Sequence, residues 1–521
     1  MLTHIIGAKC IGIDAVKVTV EINIERGLGI FLVGLADAAV KESLLRTTTA
    51  LESLGYRIPG KKIVINLAPA DLRKNGSGYD LPLAIAIIAA SEQKSLPEAC
   101  NYIIMGELGL DGSVRAIPGA LPMADLAVKS GFKGIILPEE SALEAVEFRD
   151  SMIFGVRTLA DVIRILAGEE DPGDLLIWNT GTYRKMHRQG MRAASGDGGE
   201  IDFSDIIGQE GAKRGVEIAA AGGHNLIMIG APGSGKSSLA KAMAGILPPM
   251  TAEEALVTSK IYSVTGRRSP QLGLMRKRPF RSPHYSASLP AIIGGGGGDG
   301  IVPGEVSLAC NGVLFLDEAG QIPRSVMESL RGPIEDRCVT ISRLKGKITY
   351  PASFMMVAAS NPCPCGYYGE GDRCTCTPTQ RQNYLGKLSG PIMDRIDIQV
   401  RVKSIDSSVI AHARKAEPSE AVAKRVLKAR IAQKHRFATE DIFTNAEMSN
   451  RQIEKYCHLD QNCLNTMECI MKKMNLSMRA YFRIIRVART IADLEGADDI
   501  CTGHLLEAAS FRFLDRLGSL V

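Results

Sequence analysis

A glycine-rich loop between an apolar run and a helical pattern constrains this chain more than any other feature. The loop follows the apolar run 225–229 and consists of Gly230, Ala231, Pro232, Gly233, Ser234, Gly235, Lys236, Ser237 and Ser238. Its glycines let backbone N–H groups close around phosphate oxygens at a helix N-terminus. Lys236 is expected to reach the β and γ phosphates, and the Ser237 hydroxyl to ligate Mg²⁺. The loop therefore predicts a P-loop that binds ATP with Mg²⁺.

Two further apolar runs end in polar residues suited to the same site. The run 312–316 ends at Asp317 and Glu318, and the run 353–359 leads to Asn361. Asp317 is expected to hold Mg²⁺, Glu318 to polarise the attacking water, and Asn361 to orient that water. Buried parallel strands have this apolar composition, so the fold class is predicted as α/β. Taken alone, a strand ending in Asp-Glu is common, and Asn-Pro also favours a turn.

The length of 521 residues predicts more than one domain. Composition shifts place the limits at 1–170, a polar linker at 171–200, a P-loop core at 201–403 and a helical region at 404–521. The net charge of +5 is too small to identify a partner. The start lacks the features of a secretion signal, and the apolar run 81–90 is too short to cross a bilayer, so a cytoplasmic protein is expected.

Several motifs together give a specific family resemblance. They are RPFRSPH at 278–284, PGEVSL at 303–308, NPCPCG at 361–366, SGP at 389–391, DRID at 394–397, SMRAY at 477–481 and ARTIAD at 488–493. With the P-loop they resemble the magnesium-chelatase-like AAA+ ATPases, and closely the ComM/YifB family. The resemblance implies an AAA+ parallel sheet with a helical lid, assembled as a ring that is expected to be a hexamer.

The same resemblance assigns roles to two arginines and to one asparagine. Asn361 corresponds to the sensor-1 residue, Arg395 to an arginine finger that reaches a neighbouring subunit, and Arg479 to the lid sensor. A guanidinium suits both arginine positions because it stabilises charge spread over the transferring phosphoryl group. Arg331 and Arg337 remain alternative fingers, and the helical spacing of Arg479, Arg483 and Arg486 also fits a solvated stripe.

Four cysteines are clustered immediately after Asn361. Cys363 and Cys365 are separated from Cys374 and Cys376 by eight residues that include three glycines. Four thiolates on such a loop can surround zinc tetrahedrally, although Cys-x₂-Cys is the usual spacing. The cluster predicts a structural zinc ion, with a redox element or a loop stiffened by paired thiols as the alternatives.

Residues 1–170 resemble the α+β Lon-protease-type domain that this family and the RadA recombination factor carry. Aligning the protease patterns places Gly78 at the nucleophilic serine and Leu121 at the catalytic lysine. Neither side chain can perform that chemistry. Ser77 lies one position away, with Lys74 as an unsupported partner. A non-proteolytic scaffold is therefore expected.

Two basic segments suit contact with DNA in the channel of a ring. Arg343, Lys345 and Lys347 surround Gly346 between two β-like arms, a pattern that predicts a hairpin. The segment 276–281 leads towards the glycine run 294–298, which is expected to be a flexible loop. Composition alone fits a solvated hairpin equally well. The family resemblance favours DNA, single-stranded or branched, as the partner.

Three functions compete at this stage. The family resemblance implies a ring-forming DNA helicase that promotes branch migration in recombination and natural transformation. A magnesium-chelatase-like motor that remodels a protein partner is the second, disfavoured because chelatase motors are expected to resemble only the ATPase core and lid. An ATP-dependent protease is the third, and it is opposed by Gly78 and Leu121.

Overall fold

The computed structural model describes residues 2–34, 37–74, 76–193, 201–267, 272–297, 300–343, 346–386, 390–404 and 416–514. Among the helices within these ranges, none has the length and apolarity needed to span a bilayer. The described chain forms an N-terminal α+β unit, a parallel-sheet core and a helical lid.

The N-terminal unit is built on a seven-stranded mixed sheet. In order across the sheet its strands are Gly29–Val33, Lys62–Ala68, Asp14–Glu25, Leu2–Ile11, Tyr102–Ile104, Gly134–Pro138 and Met152–Val156. The helices of this unit are Ala38–Ser53, Asp80–Ala90, Ala120–Lys129, Glu139–Ala142 and Leu159–Ala167. The apolar run 81–90 lies in the helix Asp80–Ala90 and is almost entirely buried.

The segment predicted as a linker is partly packed against the N-terminal core. A helix runs from Gly181 to Ala193, and Ile177 before it is fully buried in the N-terminal hydrophobic core. The Trp178 indole donates a hydrogen bond to the Val146 carbonyl at 3.0 Å. The packed N-terminal unit thus continues beyond residue 170, because an apolar cluster at 175–178 interrupts the polar sequence.

The core is a five-stranded parallel sheet. Across the sheet the strands are Phe280–Arg281, Val313–Leu316, Met355–Ser360, Leu226–Gly230 and Ile398–Val402. The three apolar runs predicted as buried strands are the three central ones. The strand of the P-loop therefore lies beside the strand that leads to Asn361, and the Asp317 strand follows it. Because all five strands are parallel, their carboxyl ends meet at one edge, where ligands bind in such sheets.

Helices surround this sheet and form the lid. The core helices are Glu210–Gly222, Lys236–Ile246, Ala252–Val264, Leu289–Ile293, Glu305–Leu308, Arg324–Ser329, Arg331–Asp336, Pro378–Leu385 and Gly390–Met393. The lid helices are Ser419–Arg436, Asn450–Tyr456, Gln461–Met474, Met478–Glu495 and Thr502–Ser510. Core and lid share one hydrophobic cluster, in which Val426 and Ile484 pack with residues of the sheet.

The glycine run is not a flexible loop where the structure describes it. Gly294–Gly297 is a strand paired antiparallel with Gly300–Pro303. The expectation failed because glycine carries no side-chain signal for a strand, whereas the backbone groups of the two segments pair regularly. The second hairpin is as predicted, with strands Cys338–Arg343 and Gly346–Pro351.

The N-terminal unit is docked on the core through two helices. Ala120–Lys129 packs against Ala252–Val264, where Leu121 is buried with Met250, Ala255 and Leu274. The Gly119 N–H donates to the Ser263 carbonyl at 2.9 Å. The buried ammonium of Lys260 donates to Asp14 at 2.9 Å and to Asp125 at 2.7 Å.

Candidate nucleotide site

The predicted P-loop joins the central strand Leu226–Gly230 to the helix Lys236–Ile246. Gly233 and Gly235 have φ of 75° and 93°, in the left-handed region that side chains other than glycine rarely adopt. This turn directs the backbone into a cavity of about 380 Å³. The cavity is lined by Pro232, Gly233, Ser234, Gly235, Lys236, Ser237, Ser238, Asp317, Glu318, Ala359, Ser360 and Asn361. The predicted nucleotide residues therefore meet at the carboxyl edge of the sheet.

Lys236 is held at the base of the cavity. Its Nζ donates to the carbonyls of Gly230 at 2.7 Å and Ala231 at 2.8 Å, and to Asn361 Oδ1 at 3.2 Å. Burial lowers the pKa of Lys236 from its ordinary value, while Asp317 and Glu318 oppose the shift. A triphosphate would add the negative charge that favours the ammonium form.

Oxygen groups suited to Mg²⁺ lie on two neighbouring segments. The Ser237 hydroxyl donates to Asp317 Oδ2 at 2.8 Å. A hydroxyl and a carboxylate are hard oxygen ligands of the kind that Mg²⁺ takes beside substrate phosphates, so the donor set fits this ion. The Ser234 hydroxyl is buried without a hydrogen-bond partner in the described structure, and is available to a phosphate oxygen.

Glu318 differs from Asp317 in exposure and in backbone geometry. It is exposed and has φ of 49°, which turns the chain at the end of the strand. Its N–H donates to Asp317 Oδ1 at 2.9 Å. An exposed carboxylate on the cavity wall, beside an amide at Asn361, is an arrangement that can activate and orient water.

Arg395 and Arg479 line a second cavity, of about 450 Å³, between the core and the lid. Arg395 is buried and is paired with Glu335, whereas Arg479 is exposed and donates to Asp394 at 3.2 Å. The lining residues of this cavity and those of the P-loop cavity do not overlap. In the described structure, therefore, neither arginine lines the P-loop cavity of its own chain.

Three more arginines line the second cavity: Arg337, Arg483 and Arg486. Arg483 lies 3.4 Å from Asp397, and burial lowers the pKa of both Arg483 and Arg486. A solvated stripe is thus wrong for these two residues. Arg337 donates to Glu447 at 2.7 Å, while Arg331 is exposed and lines neither cavity. Four of the five arginines around this cavity are paired with a carboxylate of their own chain, at Glu335, Asp394, Asp397 or Glu447.

The four clustered cysteines converge. All four sulfurs lie within 4.8 Å of one another, so they could hold a metal ion. The loop also contacts the nucleotide site, since a Cβ at Gly366 would come within 2.7 Å of Pro232 Cδ. No motif in the sequence predicts this contact.

The two hairpins of the core are joined to each other. The Tyr350 hydroxyl donates to the Ile301 carbonyl at 2.8 Å, and Gly294 leaves no room for a side chain beside Ile341. Arg343 ends one strand and the exposed Lys347 lies on the other, whereas Lys345 falls outside the described residues.

The two positions that align with the protease dyad are both packed against apolar side chains. Gly78 faces Met105 and Ile117, and Leu121 is buried against the core. Ser77 donates to Glu107, while the buried Lys74 donates to the Pro69 carbonyl. Ser77 and Lys74 therefore have separate partners and do not replace the dyad.

Comparison with known proteins decides the family. The chain is 42% identical to a protein named YifB from Salmonella typhimurium, over 97% of this chain and 96% of that protein. It is 39% identical to competence protein ComM from Haemophilus influenzae, with the same coverage of each. The chain belongs to the ComM/YifB family. A family model described as magnesium chelatase subunit ChlI matches residues 202–410, and the ChlI C-terminal model matches 416–512.

This ComM/YifB chain also resembles proteins of two further kinds. A model described as subunit ChlI of Mg-chelatase matches residues 20–141. The expectation that chelatase motors resemble only the core and lid is thereby corrected. An archaeal Lon protease from Methanocaldococcus jannaschii is 26% identical over 32% of this chain and 27% of that protein. The α/β class with an AAA+ core, and the weak likeness to Lon, both agree with the sequence prediction.

Proposed function

We propose that this ComM/YifB protein is a ring-forming, ATP-driven DNA motor that promotes branch migration. One observation carries the proposal: the arginine-lined cavity is separate from the P-loop cavity of the same chain. Arg395 and Arg479 then have a catalytic use only when a neighbouring subunit presents its nucleotide to them. This arrangement supports a ring, with a hexamer as the expected size.

In the proposed cycle each chain supplies two half-sites. Lys236 and Ser234 bind phosphates, and Glu318 takes a proton from water oriented by Asn361. Ser237 and Asp317 would hold Mg²⁺, which would supply positive charge beside the phosphates. Arg395 and Arg479 of the adjacent chain stabilise charge that develops on the phosphoryl oxygens. Hydrolysis at one site is thereby linked to the contact between two chains.

DNA contact is assigned to the joined hairpins. The hairpin bearing Arg343 and Lys347 is braced by the glycine hairpin through Tyr350. It is also braced by the N-terminal unit, because Gly12 packs against Ile348. A basic tip on a braced support can follow a phosphate backbone, and the name of the competence relative supports a role with DNA.

The proposal is tested by measuring ATP hydrolysis and branch migration with the purified chain. We expect DNA to stimulate hydrolysis, and a synthetic four-way junction to be converted to two duplexes only with ATP and Mg²⁺. Glu318→Gln protein serves as the matched control that binds ATP without turnover. Equal hydrolysis with and without single-stranded, duplex and branched DNA, and no junction conversion, would contradict the proposal.

The second candidate is a chelatase-like motor that remodels a protein partner. The match of residues 20–141 to a chelatase-subunit model favours it. In that case ATP hydrolysis would be intact but indifferent to DNA. A protease function is opposed by Gly78 and by the buried Leu121; casein degradation assayed with ATP is expected to be absent.

A further inference from the structure

The four-cysteine loop brings its sulfurs to separations close to those found around one tetrahedral metal ion. Cys363 Sγ lies 3.3 Å from Cys365 Sγ and 3.8 Å from Cys374 Sγ, and Cys365 Sγ lies 3.7 Å from Cys374 Sγ. Four thiolates about 2.3 Å from a tetrahedral zinc ion are about 3.8 Å apart. Cys376 completes the set, since its sulfur accepts from the Cys365 N–H at 3.4 Å. All four cysteines are free thiols in this structure, since a disulfide has an S–S length of about 2.05 Å.

The loop begins at the nucleotide site. Asn361, which accepts from Lys236, stands two residues before Cys363, and Cys363 is fully buried. Gly366, at φ of 86°, lies directly against Pro232 of the P-loop. A displacement of this half of the loop would therefore move the water-orienting amide directly, and the P-loop only at Pro232, ahead of Lys236 and Ser237.

The loop ends against the other side of the same site. Helix Pro378–Leu385 begins two residues after Cys376. Its Tyr384 ring packs so closely on Gly320 that a Cβ at Gly320 would come within 2.9 Å of Tyr384 Cζ. Gly320 follows Glu318 by two residues. Tyr368 within the loop stacks on Arg381 of that helix at 4.3 Å. The cysteines thus fix the distance between the Asn361 segment and the helix that packs beside Glu318.

We propose that these four cysteines bind one zinc ion per chain, and that this ion positions Asn361 and the P-loop for ATP hydrolysis. The inference rests on the ATP-hydrolysing site proposed above and is independent of DNA. The four cysteines are positioning residues, since none of them lines the P-loop cavity. Loss of the ion should lower kcat more than it raises the KM for ATP, because Lys236 and Ser237 stay on the intact helix.

The first test is metal analysis of the full chain purified without chelator. We expect one zinc per chain, and a charge-transfer absorption typical of thiolate–cobalt bonds when Co²⁺ replaces zinc. The Cys374→Ser/Cys376→Ser variant should lose the metal and this absorption. Cys100→Ser/Cys469→Ser, which removes two exposed cysteines outside the loop, is the matched control and should keep both. Zinc at background in the unmodified protein, or iron in its place, would overturn the assignment.

The second test measures DNA-independent ATP turnover. The Cys374→Ser/Cys376→Ser variant should lose about tenfold or more in kcat, with KM for ATP within about threefold, because misplacing a catalytic group by an ångström has effects of this size or larger. Stripping zinc with a chelator should have the same effect, and adding zinc back should restore the rate. An unchanged kcat in zinc-free protein would overturn the positioning role.

A third variant covers the case in which the double serine variant does not fold. Gly366→Ala keeps all four thiols but forces the loop away from Pro232. We expect it to retain one zinc and still lose kcat, and full turnover in this variant would contradict the coupling. If the proposed ATPase function is wrong, the unmodified protein with zinc bound will hydrolyse no ATP. That result is distinct from a loss of turnover seen only in the variants or in zinc-free protein.

Discussion

At the scale of single residues, the nucleotide site separates binding from chemistry. Lys236 is enclosed by two carbonyls and Asn361, whereas Glu318 is exposed on the cavity wall. We predict that Lys236→Ala weakens ATP binding, while Glu318→Gln binds ATP normally and loses about 10²-fold or more in kcat. Anisotropy of a fluorescent ATP analogue and phosphate release measure the two properties. Normal turnover by Glu318→Gln would sink the assignment of the general base.

The places of residues in this site could be predicted from the sequence where a local motif determines them. Lys236 and Asp317 each follow an apolar strand, and parallel strands bring their ends together. The partial burial of Arg483 and Arg486 could not be predicted from the sequence, because helical spacing shows which residues share a face but not what covers that face. The contact of Gly366 with Pro232 was equally hidden, since it joins two loops far apart in sequence.

At the scale of elements, the hairpin 338–351 is the segment on which the DNA proposal depends. Lys347 is exposed on its second strand and lies away from the nucleotide cavity. We predict that Lys347→Ala leaves basal ATP turnover intact, slows branch migration and reduces the log–log salt slope of DNA binding by about 0.7–0.9, as expected for one lost phosphate contact. Lys428→Ala, an exposed lysine on the lid, is the matched control. An unaltered salt slope would place the DNA path elsewhere, with the segment 276–281 as the next candidate.

The elements themselves were predictable to different degrees. The helix Met478–Glu495 and the capping box of Ser449 with Gln452 follow from side-chain patterns, and the structure has both. The strand Gly294–Gly297 does not, because its stability comes from backbone pairing and from the neighbouring hairpin. Ile177 falls in the predicted linker because polar residues dominate the sequence around it, although it is buried in the N-terminal core.

At the scale of the whole molecule, the proposed shared site makes a prediction about mixtures. Lys236→Ala subunits lack phosphate binding, and Arg395→Ala subunits lack the arginine offered to a neighbour. Mixing the two inactive proteins should restore part of the ATP turnover, because some interfaces then combine an intact P-loop with an intact Arg395. Light scattering must show equal assembly, since Arg395 is buried and paired with Glu335. Absence of rescue at every ratio, with assembly intact, would count against Arg395 as the finger.

The junction between the N-terminal unit and the core gives a prediction about stability. Lys260→Met should lower the earliest thermal unfolding transition by several degrees, a loss of roughly 2 kcal/mol for charged hydrogen bonds. Lys129→Met is the matched control, because Lys129 also pairs with Asp125 but is exposed and should cost little. Equal midpoints for the two variants would show that the Lys260 contacts do not hold the junction.

The pH dependence of this junction follows from the pKa shifts of its charged groups. Burial opposes ionisation of Asp125, but hydrogen bonds from Lys129 and Lys260 hold its pKa below the ordinary 3.8. Burial likewise opposes the charge of Lys260, but Asp125 and Asp14 raise its pKa above 10.5. These contacts therefore contribute their full stabilisation of the folded state between the ordinary pKa values, 3.8 for Asp125 and 10.5 for Lys260. It should disappear as pH falls through the lowered pKa of Asp125 or rises through the raised pKa of Lys260, which thermal midpoints across pH can measure.

Burial of Leu121 has a consequence for how this protein can change over evolutionary time. The position that aligns with a protease lysine is now apolar and lies between the two units with Met250 and Leu274. Substituting serine at Gly78 and lysine at Leu121 would put an ammonium into that apolar contact, at a cost of several kcal/mol. A chain with that dyad could use it only if the motor were released from this face. The same surface cannot serve at once as a peptidase centre and as the joint between two units, so a change towards one use requires the loss of the other.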